Sequence, residues 1–248
     1  DVGYGQLAWK IRSDQRVKTI ERTNIKSCSL SDIYSETETI ADLLVMDVSF
    51  ISIEKVLPNL KKLLNKDFHE MICLIKPQFE AGKGLVDKGG VVRNKDTHYQ
   101  VIQNVLSFVL AADEVIVVTT PEPTAITDAY GIIKAIASQT TEKNIKLIVN
   151  KAQSVSEGKR VAQRVINIAG QFLNIKVEDL GFIYEDPNVP KSVRNQKPFY
   201  VSYPKSKASG CVKMIADRIN NKEVSPETIG GIGGFIKNLI GQSANHKE

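Results

Sequence analysis

The sequence lacks the residue patterns of metal centres and disulfide scaffolds. Its three cysteines, Cys28, Cys73 and Cys211, lie far apart and form no C-x-x-C pair. Its three histidines are scattered and do not have the spacing of zinc ligands. We therefore expect no metal site, and the isolated cysteines favour a reducing, cytoplasmic setting.

Long hydrophobic runs and a strong net charge are also missing. No apolar run approaches the roughly 18–20 residues that span a membrane, and we expect no signal peptide before the first predicted domain. The net charge of +5 is compatible with RNA or an anionic membrane but is too small to demand either. Hydrophobic residues make up 42% of the chain, which is enough for a globular protein with a substantial core.

A third missing feature is the phosphate-binding loop G-x-x-x-x-G-K-[ST]. The glycines of Gly82-Lys-Gly84 and Gly89-Gly90 do not have its spacing. The amides and the lysine of such a loop stabilise charge during triphosphate hydrolysis, so ATPase activity is not expected. Two interpretations of the glycine-rich stretch 81–94 stay open, a cradle for RNA phosphates and a mobile lid.

Two strand-like segments each place a charged residue at their carboxyl end. The apolar run Leu43–Met46 is followed at once by Asp47, and the segment 71–75 leads to Lys76. Such runs predict buried parallel strands, whose carboxyl ends meet at the sheet edge where ligands bind in open α/β proteins. We therefore expect Asp47 and Lys76 to lie beside each other at this edge.

Strand and helix patterns alternate along the whole chain. This alternation predicts an α/β protein with a doubly wound, mostly parallel sheet covered by helices. The predicted helices cover 52–64, 98–110, 156–173 and 206–220, the later strands include 146–150 and 180–184, and 199–203 is predicted to be extended.

Several motifs of the first 111 residues occur together in one known family. They are Asp1-Val-Gly-Tyr-Gly-Gln-Leu-Ala-Trp-Lys, Glu21-Arg-Thr-Asn-Ile, Met46-Asp-Val-Ser-Phe-Ile-Ser, Leu74-Ile-Lys-Pro-Gln-Phe-Glu-Ala-Gly and Lys88-Gly-Gly-Val-Val-Arg. In content and order they resemble the TlyA-type haemolysins, which are ribosomal RNA 2′-O-methyltransferases of the FtsJ-like class. The resemblance implies a Rossmann-like fold, S-adenosylmethionine as cofactor and ribosomal RNA as partner.

The resemblance also implies roles for individual residues. Asp1, Asn24 and Asp47 would bind the cofactor, Asp1 at its ribose and Asn24 near its adenine. Asp47 and Lys76 would be two catalytic members of the family's Lys-Asp-Lys-Glu tetrad. A ribose 2′-hydroxyl must lose its proton as it attacks the sulfonium methyl, and a lysine whose pKa is lowered by burial can accept that proton. The alternative is a plain ion pair of Lys76 with Asp47 or Glu80.

Other parts of the family pattern do not occur in this sequence. Its glycine-rich cofactor loop, its first tetrad lysine and its RNA-binding domain would all precede Asp1. The closing glutamate, expected on a strand after the helix that ends near Leu110, does not occur either. We therefore expect an incomplete methyltransferase segment, 1–111, in which activity is lost.

The second half has different motifs. They are Val118-Thr-Thr-Pro-Glu-Pro-Thr-Ala-Ile-Thr-Asp-Ala-Tyr, Ile148-Val-Asn-Lys, Gly181-Phe-Ile-Tyr-Glu-Asp, Val193-Arg-Asn-Gln-Lys-Pro-Phe and Tyr203-Pro-Lys-Ser-Lys-Ala-Ser. They resemble the carboxyl-terminal half of MinD/ParA ATPases, in particular the FlhG-type regulators of flagellar number. This alternative implies ATP with Mg²⁺ as cofactor, Asn150 as an adenine contact, and Tyr203 and Pro204 beside the base.

The end of the chain contains an amphipathic pattern at Ile229–Ile240. The same resemblance implies that this segment contacts the inner membrane face peripherally. A terminal helix docked on the sheet, or a frayed end, is the competing interpretation.

The two resemblances meet near 107–113, and we interpret the chain as a chimera. Its predicted parts are a methyltransferase segment, 1–111, an ATPase-like segment, 112–226, and an amphipathic tail, 227–248. Three functions compete: a ribosomal RNA ribose methyltransferase, a membrane-associated flagellar regulator, and a fragment without activity.

Overall fold

The computed structural model of the chain describes residues 3–5, 7–49, 51–67, 70–80 and 95–220. The chain divides into two compact units, Asp1–Phe108 and Val109–Glu248. All strand pairs of the described residues are parallel, and they form one two-stranded and one three-stranded sheet. The predicted mixed α/β class with parallel sheets is confirmed, whereas the predicted limits at 111 and 226 stay a prediction.

Unit 1 contains two strands and short helical segments. Its strands are β1, Leu43–Met46, and β2, Glu70–Cys73, and its α-helices are α1, Trp9–Arg12, α2, Leu30–Ile33, α3, Leu57–Leu60, α4, Pro77–Glu80, and α5, which begins in this unit and covers Lys95–Ala111. Three 3₁₀ helices cover Ile25–Ser27, Ile53–Lys55 and Lys61–Leu63.

The predicted helix over 52–64 is broken into three pieces. A 3₁₀ helix, Ile53–Lys55, precedes α3, and a second 3₁₀ helix follows it. Pro58 lies at the start of α3, and proline has no N–H to donate to the carbonyl of Glu54. One continuous helix is therefore the wrong prediction here, although the same apolar residues still form the core.

One face of the unit 1 sheet is covered. Met46 packs against the buried side chains of Ile53, Val56 and Leu60. Side chains alternate between the two faces of a strand, so the intervening ones point the other way, and Val45 and Ile72 are 67% and 61% exposed. The prediction of fully buried strands is therefore wrong for this face, because the described helical segments of the core pack on the side of Met46.

Unit 2 contains a three-stranded sheet in the order β3-β4-β5. Its strands are β3, Val115–Thr119, β4, Ile145–Ala152, and β5, Val177–Tyr184, and its helices are α6, Pro123–Ala137, α7, Val155–Leu173, α8, Asn188–Arg194, α9, Phe199–Ser202, and α10, Lys207–Ile219. The central strand β4 is buried on both faces, since Ile145, Leu147 and Ile148 all have less than a tenth of their surface exposed.

A β-bulge fixes the contact between β5 and α10. Leu147 pairs with Asp179 and Ile148 pairs with Gly181. Leu180 is therefore the extra residue of the bulge. Gly181 adopts a φ of +133°, which side-chain-bearing residues rarely adopt. The carbonyl of Leu180 accepts a hydrogen bond of 2.8 Å from Arg218 of α10. At the bulge, the carbonyl of Leu180 therefore bonds to the side chain of a helix residue instead of to a neighbouring strand.

Most of the segment 199–203 is helical, contrary to its predicted extended state, since α9 covers Phe199–Ser202. The carbonyl of Pro198 accepts hydrogen bonds from the N–H groups of Val201 and Ser202, which begins the turn of α9. Aromatic and β-branched residues favour strands, but Pro198 precedes the helix as its N-cap residue, and its carbonyl accepts the first hydrogen bonds of the turn. The local hydrogen bonds therefore override the strand propensity.

Asp186 joins the two ends of the segment between β5 and α10. Its Oδ1 accepts from the N–H of Asn188 at 2.9 Å, and its Oδ2 accepts from the N–H of Ala208 at 3.2 Å. Only 8% of the residue is exposed. Burial by itself raises the pKa of Asp186, but the hydrogen bonds from Asn188, Ala208 and Ser206 outweigh burial and hold the pKa below its ordinary value.

Asp186→Asn is expected to destabilise unit 2 by about 2 kcal/mol at neutral pH, because an amide can accept only one of the two hydrogen bonds. An unfolded aspartate titrates near pH 3.9. Since the folded pKa is lower, this stabilisation is complete above that value and is lost as the pH falls through the folded pKa. Native-state hydrogen exchange of the β4 amides at several pH values measures the difference in stability between the wild type and Asp186→Asn.

The matched control is Glu185→Gln, which neutralises an adjacent, exposed carboxylate. We expect this variant to stay within about 0.5 kcal/mol of the wild type, as surface substitutions do. Equal exchange protection in wild type and Asp186→Asn at pH 7 contradicts the role assigned to Asp186.

Candidate functional site

The parallel register of β1 and β2 places Asp47 and Lys76 at neighbouring strand ends. Met46 pairs with Cys73, and the N–H of Leu74 donates to the carbonyl of Met46 at 2.9 Å. Asp47 follows the last residue of β1, and Lys76 lies three residues after the last residue of β2. Both residues therefore lie at the same edge of the sheet.

The two side chains are in direct contact. Lys76 Nζ lies 2.7 Å from Asp47 Oδ1 and donates a second hydrogen bond of 2.9 Å to Ser49 Oγ. The ring of Phe79 lies 5.1 Å from the same ammonium. The side chain of Lys76 is 23% exposed and that of Asp47 63%. The expected juxtaposition is therefore present, with the amine sheltered and the carboxylate open to solvent.

Ser49 is a contact of Lys76 that the sequence analysis missed. It lies two residues after Asp47, and alternate residues of an extended segment point to the same side. The spacing Asp-x-Ser directly after a strand was thus an available signal. The pair of acceptors fixes the ammonium from two directions.

Glu80 has a different role from the ion pair considered for it. Its side chain is 5% exposed, and its Oε1 accepts from the N–H of Ile53 at 3.1 Å. Its Oε2 has no hydrogen-bond partner among the described residues. Glu80 thus links the helical turn after Lys76 to the segment that follows Asp47, so it helps to position both strand ends.

Asn24 is exposed at the start of the 3₁₀ helix Ile25–Ser27. Its Oδ1 accepts from the N–H of Lys26 at 3.1 Å, and Asn59 of α3 holds the turn by donating to Ile25 and Cys28. No described hydrogen bond joins Asn24 to the Asp47–Lys76 pair.

Two described polar side chains, those of Asp47 and Asn24, fit S-adenosylmethionine chemically. The carboxylate of Asp47 is open to solvent and attracts a sulfonium, and the amide of Asn24 is exposed and offers a donor for an adenine edge. Asp1 and the glycine-rich stretch 81–94 lie outside the described residues, so their assigned roles stay predictions.

The alternative nucleotide site lies in unit 2. Asn150 is in β4, and its Oδ1 accepts from the N–H of Lys151 at 2.9 Å. Tyr203 and Pro204 follow α9, and the carbonyl of Tyr203 accepts from Ser209 Oγ at 2.8 Å. No described hydrogen bond or ring contact joins Asn150 to Tyr203 or Pro204, so the assignment of these three residues to ATP stays a prediction.

In the part of the chain that the structure describes, no group of three or more His, Cys, Asp or Glu side chains is arranged to hold a metal ion. None of the described helices combines the length and apolar character needed to cross a bilayer. The predicted membrane contact Ile229–Ile240 lies outside the described residues.

Comparison with known proteins identifies relatives of both halves. The putative rRNA methyltransferase YqxC of Bacillus subtilis is 44% identical over 108 residues, 44% of this chain and 37% of that protein. The 16S/23S rRNA (cytidine-2′-O)-methyltransferase TlyA of Mycobacterium tuberculosis is 48% identical over 94 residues, 38% of this chain and 33% of that protein. The antiactivator FleN of Pseudomonas aeruginosa is 32% identical over 145 residues, 58% of this chain and 52% of that protein.

The chain spans between about a third and about half of the length of these relatives. Matches to flagellar regulators cover the part that the methyltransferase relatives do not, so the two-part recognition is confirmed. The sequence model described as FtsJ-like methyltransferase matches residues 1–125, reaching past 111 and covering half of the 248 residues. The chain therefore belongs to the FtsJ-like methyltransferase family.

Proposed function

We propose that this chain serves S-adenosylmethionine-dependent 2′-O-methylation of ribose in ribosomal RNA, a reaction of the cytoplasm, although the missing family motifs by themselves predict a loss of activity. The observation that carries the proposal is the contact of Lys76 Nζ with Asp47 Oδ1 at 2.7 Å. It lies at the strand ends where open α/β sheets bind ligands. The names of the TlyA and YqxC relatives support the substrate class.

Lys76 handles the proton of the attacking hydroxyl. Its Nζ contacts the ribose 2′-oxygen and takes the proton as that oxygen forms its bond to the methyl carbon. Asp47 and Ser49 hold the nitrogen in place, and the ring of Phe79 shelters it from water. S-adenosylmethionine, when bound near Asp47 and Asn24, supplies an electrophilic methyl group on a sulfonium.

The hydrogen bonds of Lys76 favour this role over a purely structural ion pair. In the neutral form that can accept a proton, the lysine amine has two N–H donors and one lone pair. The described contacts to Asp47 and Ser49 use the two donors, so the lone pair is left to take the proton of a substrate hydroxyl. An ion pair with one exposed partner contributes only about 0–1 kcal/mol to stability, so the fold does not depend on it.

A methyl-transfer assay with ribosomal RNA tests the proposal. The chain is incubated with methyl-labelled S-adenosylmethionine, and the RNA is digested to nucleosides and analysed by mass spectrometry. We expect 2′-O-methylnucleosides, and no product from RNA in which the acceptor nucleoside is 2′-deoxy. Methylation of a base, or calorimetry without any binding of S-adenosylmethionine, contradicts the proposal.

The FleN match favours a second candidate function for unit 2. We propose that Asn150, Tyr203 and Pro204 contact the base of ATP, with Mg²⁺, in a flagellar regulatory module that associates with membrane through Ile229–Ile240. Equilibrium dialysis with ATP and Mg²⁺ tests the nucleotide site. Vesicle co-sedimentation with and without residues 229–248 tests the membrane contact, and equal pelleting of both forms excludes it.

A further inference from the structure

One segment of unit 2, 187–207, is strongly basic, and we call it the basic segment. It contains five lysine or arginine residues and no acidic residue, so its charge of +5 equals the net charge of the whole chain. The rest of the chain is therefore balanced, and the excess charge is concentrated here. The five residues are Lys191, Arg194, Lys197, Lys205 and Lys207.

The basic segment is a compact structure and not a loose connection. Both of its ends meet at the carboxylate of Asp186, through the N–H groups of Asn188 and Ala208. Within it, the N–H of Lys197 donates to the carbonyl of Ser192 at 3.0 Å. The backbone that bears the charges is therefore fixed by α8, α9 and the closure at Asp186.

The cationic side chains of the basic segment point to solvent. Lys191, Arg194, Lys197 and Lys205 are exposed, and none of these four forms an ion pair with a described acidic residue. Tyr200 lies between them in the chain and is 43% exposed. An exposed aromatic ring among unpaired cations is the combination with which proteins hold single-stranded nucleic acid.

We infer that the basic segment binds single-stranded RNA. The lysine and arginine side chains contact successive phosphates, and the ring of Tyr200 stacks on a base. A lipid surface fits less well, because the exposed apolar residues Val193 and Val201 lie on two separate helices of seven and four residues. Neither helix has the long apolar face of a membrane-surface helix.

This RNA contact is independent of the proposed methyl transfer. The basic segment lies outside residues 1–125, which the methyltransferase family model matches. RNA binding through it is therefore expected even if no methyl group is transferred, and loss of one activity does not imply loss of the other.

Fluorescence anisotropy with a labelled 12-nucleotide RNA of mixed sequence tests the inference. We compare the full chain with Lys191→Gln/Arg194→Gln. Two lost phosphate contacts lower the slope of log affinity against log salt by about 1.4, which is roughly 10- to 30-fold in affinity at 0.1 M salt. The matched control is Lys159→Gln/Arg164→Gln on exposed positions of α7, which removes the same charge and should bind as the wild type.

Tyr200 provides a second, charge-neutral test. Tyr200→Ala should weaken RNA binding by roughly 5- to 150-fold, as loss of one stacked base does, whereas Tyr200→Phe keeps the ring and should bind normally. Circular dichroism verifies that all variants are folded.

Three results overturn the inference. They are unchanged RNA binding by Lys191→Gln/Arg194→Gln, an equal loss of RNA binding in the α7 control, and a loss of binding to anionic phosphatidylglycerol vesicles without any loss of RNA binding. The last result assigns the basic segment to a membrane.

Discussion

Lys76→Met is expected to slow ribose methylation by about 10²- to 10⁴-fold, the usual contribution of a positioned acid–base group. Methionine keeps the apolar stem beside Phe79 but removes the nitrogen that contacts Asp47 and Ser49. Single-turnover rates with saturating S-adenosylmethionine measure the effect. Calorimetry should show cofactor affinity within about threefold of wild type, because Lys76 acts on the RNA hydroxyl and not on the cofactor.

The control for this variant is Lys62→Met, which removes an exposed lysine at the 3₁₀ helix Lys61–Leu63. Its rate should equal that of the wild type. An unchanged rate for Lys76→Met assigns the Lys76–Asp47 contact to structure alone. Loss of rate together with loss of cofactor binding assigns Lys76 to the cofactor pocket.

Gly158→Ala is expected to destabilise unit 2 by about 1–3 kcal/mol, as overpacking of a core does. A Cβ at this position of α7 would lie 2.7 Å from Cγ of Phe182 and 2.9 Å from its Cβ. The Phe182 ring also stacks edge-on against Tyr184, with centroids 5.2 Å apart. Phe182 is therefore held on both sides, and the helix or the strand has to shift.

The same helix supplies the control for Gly158→Ala. A Cβ at Gly170 meets nothing within 4 Å, so Gly170→Ala should stabilise the helix by about 0.5–1 kcal/mol through alanine's higher helix propensity. Urea unfolding followed by far-UV circular dichroism measures both variants. Equal shifts of the same sign show that the backbone preference of glycine, and not the contact with Phe182, decides stability at Gly158.

The Lys76–Asp47 pair was predictable because the signals for it are local. Each residue directly follows a short apolar run, and parallel strands bring their carboxyl ends to one sheet edge. The residues around the pair were harder to predict from the sequence. The contact of Ser49 depends on the direction of the backbone after β1, and the contact of Glu80 with Ile53 joins residues 27 positions apart.

In unit 2, too, local patterns were predictable from the sequence and long-range contacts were not. The helix patterns predicted α7 and α10 to within about two residues, which is the usual uncertainty at helix ends. The closure of the basic segment was not predictable, because Asp186 and Ala208 lie 22 positions apart. An aspartate before a proline is, by sequence alone, only a turn signal.

The sequence by itself determined the α/β class, the position of most strands and long helices, the neighbouring strand ends of Asp47 and Lys76, and the family to which the motifs belong. Periodicity and short motifs encode these features within about ten neighbouring residues. The tertiary structure alone decided which strand faces are covered, how Glu80 links the two strand ends, and how Asp186 closes the basic segment. Those outcomes depend on contacts between distant residues, and no local pattern specifies them.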